Sequence, residues 1–142
     1  MPLDAKAAHD VAVLDVGSNS VRLVIYRLEG RAIWTVFNEK VLAGLGRGVE
    51  ETGRLSPEGV DEALKALRRF RAVLDAAKPE HVYSAATAAV RDASDGQDFV
   101  DRVKRETGLK LRILSGEEEA RYSAMGVLAG APMATEIGRA HV

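Results

Sequence analysis

The stretch Val11–Leu28, VAVLDVGSNSVRLVIYRL, decides how this chain is organised. Val11-Ala12-Val13-Leu14 is a short apolar run that stops at Asp15, the signature of a buried strand bounded by turn residues. Gly17-Ser18-Asn19-Ser20 is turn chemistry, because glycine tolerates unusual backbone angles and the short polar side chains satisfy nearby backbone groups. Val21–Leu28 is β-branched and apolar, a second strand. Glu29-Gly30 can reverse the chain into a third strand from Ala32 to about Leu42. The opening is therefore a three-strand meander whose first turn carries small polar residues.

Outward from this meander the pattern changes period. Gly44–Gly53 is glycine-rich and charged and reads as a loop. Ser56-Pro57 supplies a helix N-cap followed by proline at the first helical position. Val60, Ala63, Leu64, Leu67, Phe70 and Leu74 then form one apolar stripe, which Lys78-Pro79 ends. Val82–Ala85 reads as a fourth strand, and Asp95–Thr107 as a second helix closed by Gly108. Leu109, Leu111, Ile113 and Leu114 suggest a fifth strand. Ser115 and Glu118 form the capping box S-x-x-E of a third helix reaching about Ala129. The order β-β-β-α-β-α-β-α predicts an α/β domain with a mixed sheet and helices packed on it. That is the order of a ribonuclease-H-like lobe of the actin-like ATPase superfamily. Residues 1–10 lack periodicity and read as a disordered arm.

Composition narrows the chemistry. The 142 residues suffice for one domain with its own core, and 46% hydrophobic with 29% charged residues is a globular mix. Twenty Lys and Arg balance 21 Asp and Glu, without the basic excess expected of a nucleic-acid-binding protein. With no cysteine, thiol nucleophiles, zinc ribbons and disulfide scaffolds are excluded. His9, His81 and His141 are too dispersed for a local metal motif. Nothing resembles a membrane span or an export signal, so the expectation is a cytoplasmic protein without membrane or nucleic-acid partners.

Three constellations could carry chemistry. In Asp15-Val16-Gly17-Ser18-Asn19-Ser20, the carboxylate at a strand end can hold a divalent cation. Gly17 and the following N–H and hydroxyl groups can surround a phosphoryl group. The same residues also suit an ordinary hairpin turn. In Ser115–Arg121, acidic residues at a helix start complement the helix dipole. Glu118 has its capping task, whereas Glu119 has none visible and is free to act as a base. In Thr87–Asp92, Arg91 follows a strand and can clamp phosphate with its planar fork of donors, or pair with Asp92 or Asp95. The Gly44-Leu45-Gly46-Arg47-Gly48 loop could also approach a polyanion, though it does not run from a strand into a helix.

Taken together, Val11–Tyr26, LGRGVEETGRLSPEGV (Leu45–Val60), TAAVRDASDG (Thr87–Gly96) and LSGEEEARYSAMGVL (Leu114–Leu128) resemble the exopolyphosphatase/guanosine pentaphosphate phosphatase family, in its order and spacing. The resemblance implies two ribonuclease-H-like lobes around a cleft, of which this chain supplies part of the first. It implies Mg²⁺-assisted removal of terminal phosphate from inorganic polyphosphate, or of the 5′ γ-phosphate from guanosine pentaphosphate. By resemblance Asp15 lies near the metal, and Gly17, Ser18, Asn19 and Ser20 form the first phosphate loop. Arg91 contacts phosphate and Glu119 activates water. Complete relatives are expected to be homodimers.

The family continues with Asp-x-Gly-Gly-Gly-Ser, expected shortly after Thr135, where this chain reads Glu136-Ile137-Gly138-Arg139-Ala140-His141-Val142. The expectation is a partial lobe over 11–135 and a non-native tail over 136–142, translated from a sequencing adapter joined to a truncated gene. Without the opposing loop the chain is expected to turn over little or no substrate. Two other readings stay open: a phosphate- or nucleotide-binding module without hydrolysis, and a sugar- or acetate-kinase-like lobe.

Overall fold

The computed structural model describes residues 7–121. The meander forms as the apolar runs require: β1 (His9–Val16), β2 (Ser20–Glu29) and β3 (Ala32–Leu42) pair antiparallel in sequence order. β4 (His81–Ala86) then lies parallel to β1 on its other side, and β5 (Arg112–Ile113) lies parallel to β4. The sheet order is β3-β2-β1-β4-β5, a mixed sheet as the element order predicts.

Alternation along β1 sorts side chains between the two faces. Ala12, Leu14 and Val16 join Val21, Leu23 and Ile25 of β2 in the main core. Over this face lie α2 (Pro57–Ala77) and α4 (Gly96–Thr107), contributing Leu64, Leu67, Phe70, Phe99 and Val103. The stripe read from Val60 to Leu74 is thus the face α2 buries. Its N-cap Ser56 accepts a hydrogen bond from the Gly59 amide at 3.1 Å, and the helix closes at Lys78 in left-handed backbone. On the opposite sheet face Val11, Val24 and Tyr26 form a smaller buried group.

Four sequence expectations are corrected. β1 begins at His9, so residues 9 and 10 of the expected arm are strand, held by the Asp10–Arg27 pair. The loop expected over Gly44–Gly53 contains α1 (Val49–Thr52), one turn set between the positive-φ residues Gly48 and Gly53. The segment after β4 contains α3 (Ala88–Asp92). The fifth strand is two residues long: Leu109 and Leu111 are buried in the main core ahead of it, and Leu114 follows it with its amide donating to the Ala86 carbonyl of β4 at 2.9 Å. The third helix is present over 116–121; its expected continuation to Ala129, and the tail expected over 136–142, lie outside the described residues.

Candidate phosphate site

Strands β1, β4 and β5 run parallel and end together, and the functional motifs converge at those ends. The turn after β1 is closed by the Gly17 amide donating to the Ser20 carbonyl at 2.9 Å. Among the described residues the amides of Ser18 and Asn19 have no intramolecular acceptor. Two adjacent N–H donors at the tip of a small-residue turn are the elements of an anion-binding concavity.

The glycine loop after β3 is seated on this turn. The Asn19 carbonyl accepts from the Ala43 amide at 3.0 Å and the Gly44 amide at 3.1 Å, and the Ser18 carbonyl accepts from Gly46 at 2.9 Å. Gly46 is where a side chain would crowd its neighbours. A Cβ there would lie 3.0 Å from the Ser18 Cβ and 3.1 Å from that of Ala89. Gly59 performs the same service one layer down, since its Cβ would lie 2.7 Å from the Gly44 carbonyl oxygen. Glycine at these positions lets turn, loop, α2 and α3 pack within backbone contact. Sequence reading singled out the loop but not this seat, and Gly46 and Thr87 carried no local signal of their part in it.

α3 starts where β4 ends. The Thr87 amide donates to the Val16 carbonyl at 3.1 Å, tying the start of α3 to the end of β1. Arg91, one turn later, reaches back over the strand ends. Its Nη1 donates to the Leu114 carbonyl at 3.0 Å and to Glu119 Oε1 at 3.2 Å, while Nε meets Asp92 Oδ1 at 3.3 Å. The expected Asp92 pairing is therefore present, and Glu119 joins it; Asp95 instead accepts from the Leu55 amide at 2.9 Å.

Glu119 is carried on the helical residues 116–121, whose start is fixed by the capping box. The Glu118 amide donates to Ser115 Oγ and the Ser115 amide to Glu118 Oε1, both at 3.0 Å. The hydrogen bond from the Ser115 amide, helped by Arg112 and Arg121, holds the Glu118 carboxyl below the usual carboxylate range. With Glu118 spent on the cap, Glu119 is the carboxylate that turns to Arg91.

Asp15 is exposed near the end of β1, paired in register with Arg22 of β2 and Ala85 of β4. Among the described residues no group of three or more His, Asp or Glu side chains could hold a metal ion. None of their helices is long and apolar enough to cross a membrane.

Comparison with known proteins gives this geometry a context. Residues 24–137 match the Ppx/GppA phosphatase family. Exopolyphosphatase 1 of Mycobacterium tuberculosis is 30% identical over 118 residues, 82% of this chain and 34% of that protein. The crystal structure of the Aquifex aeolicus Ppx/GppA family member has a TM-score of 0.80 at 35% identity, over 85% of this chain and 40% of that one. For an exopolyphosphatase from Cytophaga hutchinsonii the TM-score is 0.79 at 35% identity, over 83% of this chain and 38% of that one. The chain therefore spans well under half the length of these relatives. With a family match across most of its length and the same mixed sheet as these structures, the chain belongs to the Ppx/GppA phosphatase family and forms a ribonuclease-H-like lobe of the actin-like ATPase type.

Proposed function

We propose that this lobe belongs to a phosphohydrolase that removes the terminal phosphoryl group of a condensed phosphate, either inorganic polyphosphate or the 5′ γ-phosphate of guanosine pentaphosphate. The observation that carries the reading is the 3.2 Å contact between Arg91 and Glu119 at the strand ends. It sets a planar cationic donor and a carboxylate side by side next to a turn with open amides.

In this reading the amides of Ser18 and Asn19, with the hydroxyls of Ser18 and Ser20, hold the terminal phosphoryl oxygens. Arg91 neutralises charge that spreads over those oxygens as the bond to the leaving phosphate breaks. Glu119 accepts the proton of the attacking water, whose oxygen forms the new bond to phosphorus. Orthophosphate and a chain shorter by one unit leave. Asp15 would hold Mg²⁺ together with water and phosphate oxygens. A single exposed carboxylate suits that ion, which keeps several waters and binds through one or two carboxylates plus substrate. When bound, the ion offsets the negative charge of the phosphates.

The test is phosphate release from tripolyphosphate by the gene product carrying this lobe, with Mg²⁺ present. Glu119→Gln should reduce release by at least about 100-fold, the smallest loss expected for a general base, while tripolyphosphate binding persists. Release at the wild-type rate would overturn the reading. Binding without hydrolysis in both forms would identify a phosphate-binding module instead.

A further inference from the structure

The strand register lines up one rung across the sheet that the site described above uses only at Asp15. Lys40 of β3 stands opposite Arg22 of β2, Arg22 opposite Asp15 of β1, Asp15 opposite Ala85 of β4, and Ala85 opposite Arg112 of β5. Side chains in one rung share one face. The intervening residues Val21, Leu23 and Val41 belong to the core under the helices, so this rung lies on the other face. Lys40, Arg22 and Asp15 are all exposed.

Its cations are not equivalent. Arg112 is ion-paired with Glu118. Glu39, the carboxylate next to Lys40 in sequence, is ion-paired with Arg69 of α2. Among the described residues neither Arg22 nor Lys40 has an ion-pair partner. Arg22 stands between Asp15, whose opposite charge offsets it, and Lys40, whose like charge repels it, so Lys40 is the cation of this rung that an anion relieves. The pair lies close to the phosphate turn, because Ser20 of that turn is itself opposite Leu42, two residues beyond Lys40. Two strand spacings, about 10 Å, separate Lys40 from Asp15 across the rung. One phosphoryl group cannot bridge that distance, whereas several joined by anhydride bonds can.

Resting on the phosphohydrolase reading, we infer that Lys40, with Arg22 beside it, forms a second anion subsite that takes the inner phosphoryl groups of a condensed phosphate while its end sits at the Ser18–Asn19 turn. The bound chain then runs across the sheet face from β1 toward the β3 edge. Lys40 acts here as a determinant of substrate length, remote from the bond that breaks.

The experiment is an NMR titration of the 142-residue chain with orthophosphate, tripolyphosphate and guanosine pentaphosphate, at low salt with Mg²⁺. Lys40→Gln should weaken tripolyphosphate about three- to fivefold, the range of one exposed charge pair, and leave orthophosphate unchanged. Lys40→Arg should restore the wild-type affinity. Equal weakening by guanosine pentaphosphate extends the subsite to any phosphate chain; weakening confined to tripolyphosphate assigns it to the inorganic polymer. Lys40→Gln that leaves tripolyphosphate binding intact, or that weakens orthophosphate as much, overturns the subsite. If Arg91→Gln still abolishes binding in that case, the phosphohydrolase reading stands without it. Failure of the wild-type chain to bind any of the three ligands overturns the subsite, while phosphate release by the gene product carrying this lobe still decides the phosphohydrolase reading.

Discussion

Arg91 already serves three acceptors with Nε and Nη1, and in the proposed reading its Nη2 donors face the incoming phosphate. One nitrogen, Nη1, already divides its donors between the Leu114 carbonyl and Glu119, and the side chain is 28% exposed. In the proposed reading an incoming phosphoryl group shares the charge of that guanidinium with the Glu119 carboxylate, and a partly exposed pair of this kind is weak enough to yield. Glu119→Gln removes the competing charge but keeps the shape. It should therefore tighten tripolyphosphate binding about two- to fivefold even as it removes the base, a change readable by calorimetric titration. Weaker binding by this variant would mean that Glu119 supports the phosphate contact instead of opposing it. Both residues were legible in the sequence, each inside its own motif. Their meeting was not, because 28 positions separate them and only the parallel docking of β5 on β4 brings the two motifs together.

Elements with strong local signals match their reading closely. Ser56-Pro57 opens α2, Gly108 closes α4 in left-handed backbone, and the Ser115–Glu118 box closes reciprocally. The misread pieces are α1 and α3, of four and five residues, which are too short to show a helical period. α3 matters most, because it presents Arg91, and what fixes it is a contact invisible in one dimension. A Cβ on Gly96 would lie 1.8 Å from the Val90 carbonyl oxygen, so the start of α4 rests directly on the backbone of α3. No rotamer change can relieve an overlap with backbone. Gly96→Ala should cost about 3 kcal/mol of stability in urea unfolding, at the upper end of overpacking effects. It should also weaken tripolyphosphate binding, because α3 must move and take Arg91 with it. Loss of stability with full affinity would show that the strain is absorbed in α4 alone.

Across the whole molecule, ion pairs tie elements together where the core does not reach. Asp10 accepts from Arg27 at 2.8 and 3.1 Å, joining β1 to β2 at the sheet end far from the phosphate turn. Glu39 pairs with Arg69 between β3 and α2, and Glu106 of α4 pairs with Arg68 of α2 and, within its own helix, with Arg102. In each case the hydrogen bonds from arginine hold the carboxyl below its ordinary range. A carboxyl depressed in the folded state gives stability that is complete above its ordinary pKa and drains away as pH falls through its lower folded value. The folded chain takes up these protons later than the unfolded chain does, so acid favours unfolding. Stability should accordingly be flat down to about pH 4.5 and then decline. Asp10 offers the sharpest check, because its side chain is only 14% exposed. Asp10→Asn should cost about 1 kcal/mol at pH 7, discounted for the more exposed Arg27. Once the wild-type carboxyl protonates in strong acid, most of that difference should vanish. Urea unfolding of both forms at pH 7 and in strong acid makes the comparison. A gap of the same size at both pH values would show that Asp10 holds the hairpin by its shape, with its charge contributing nothing.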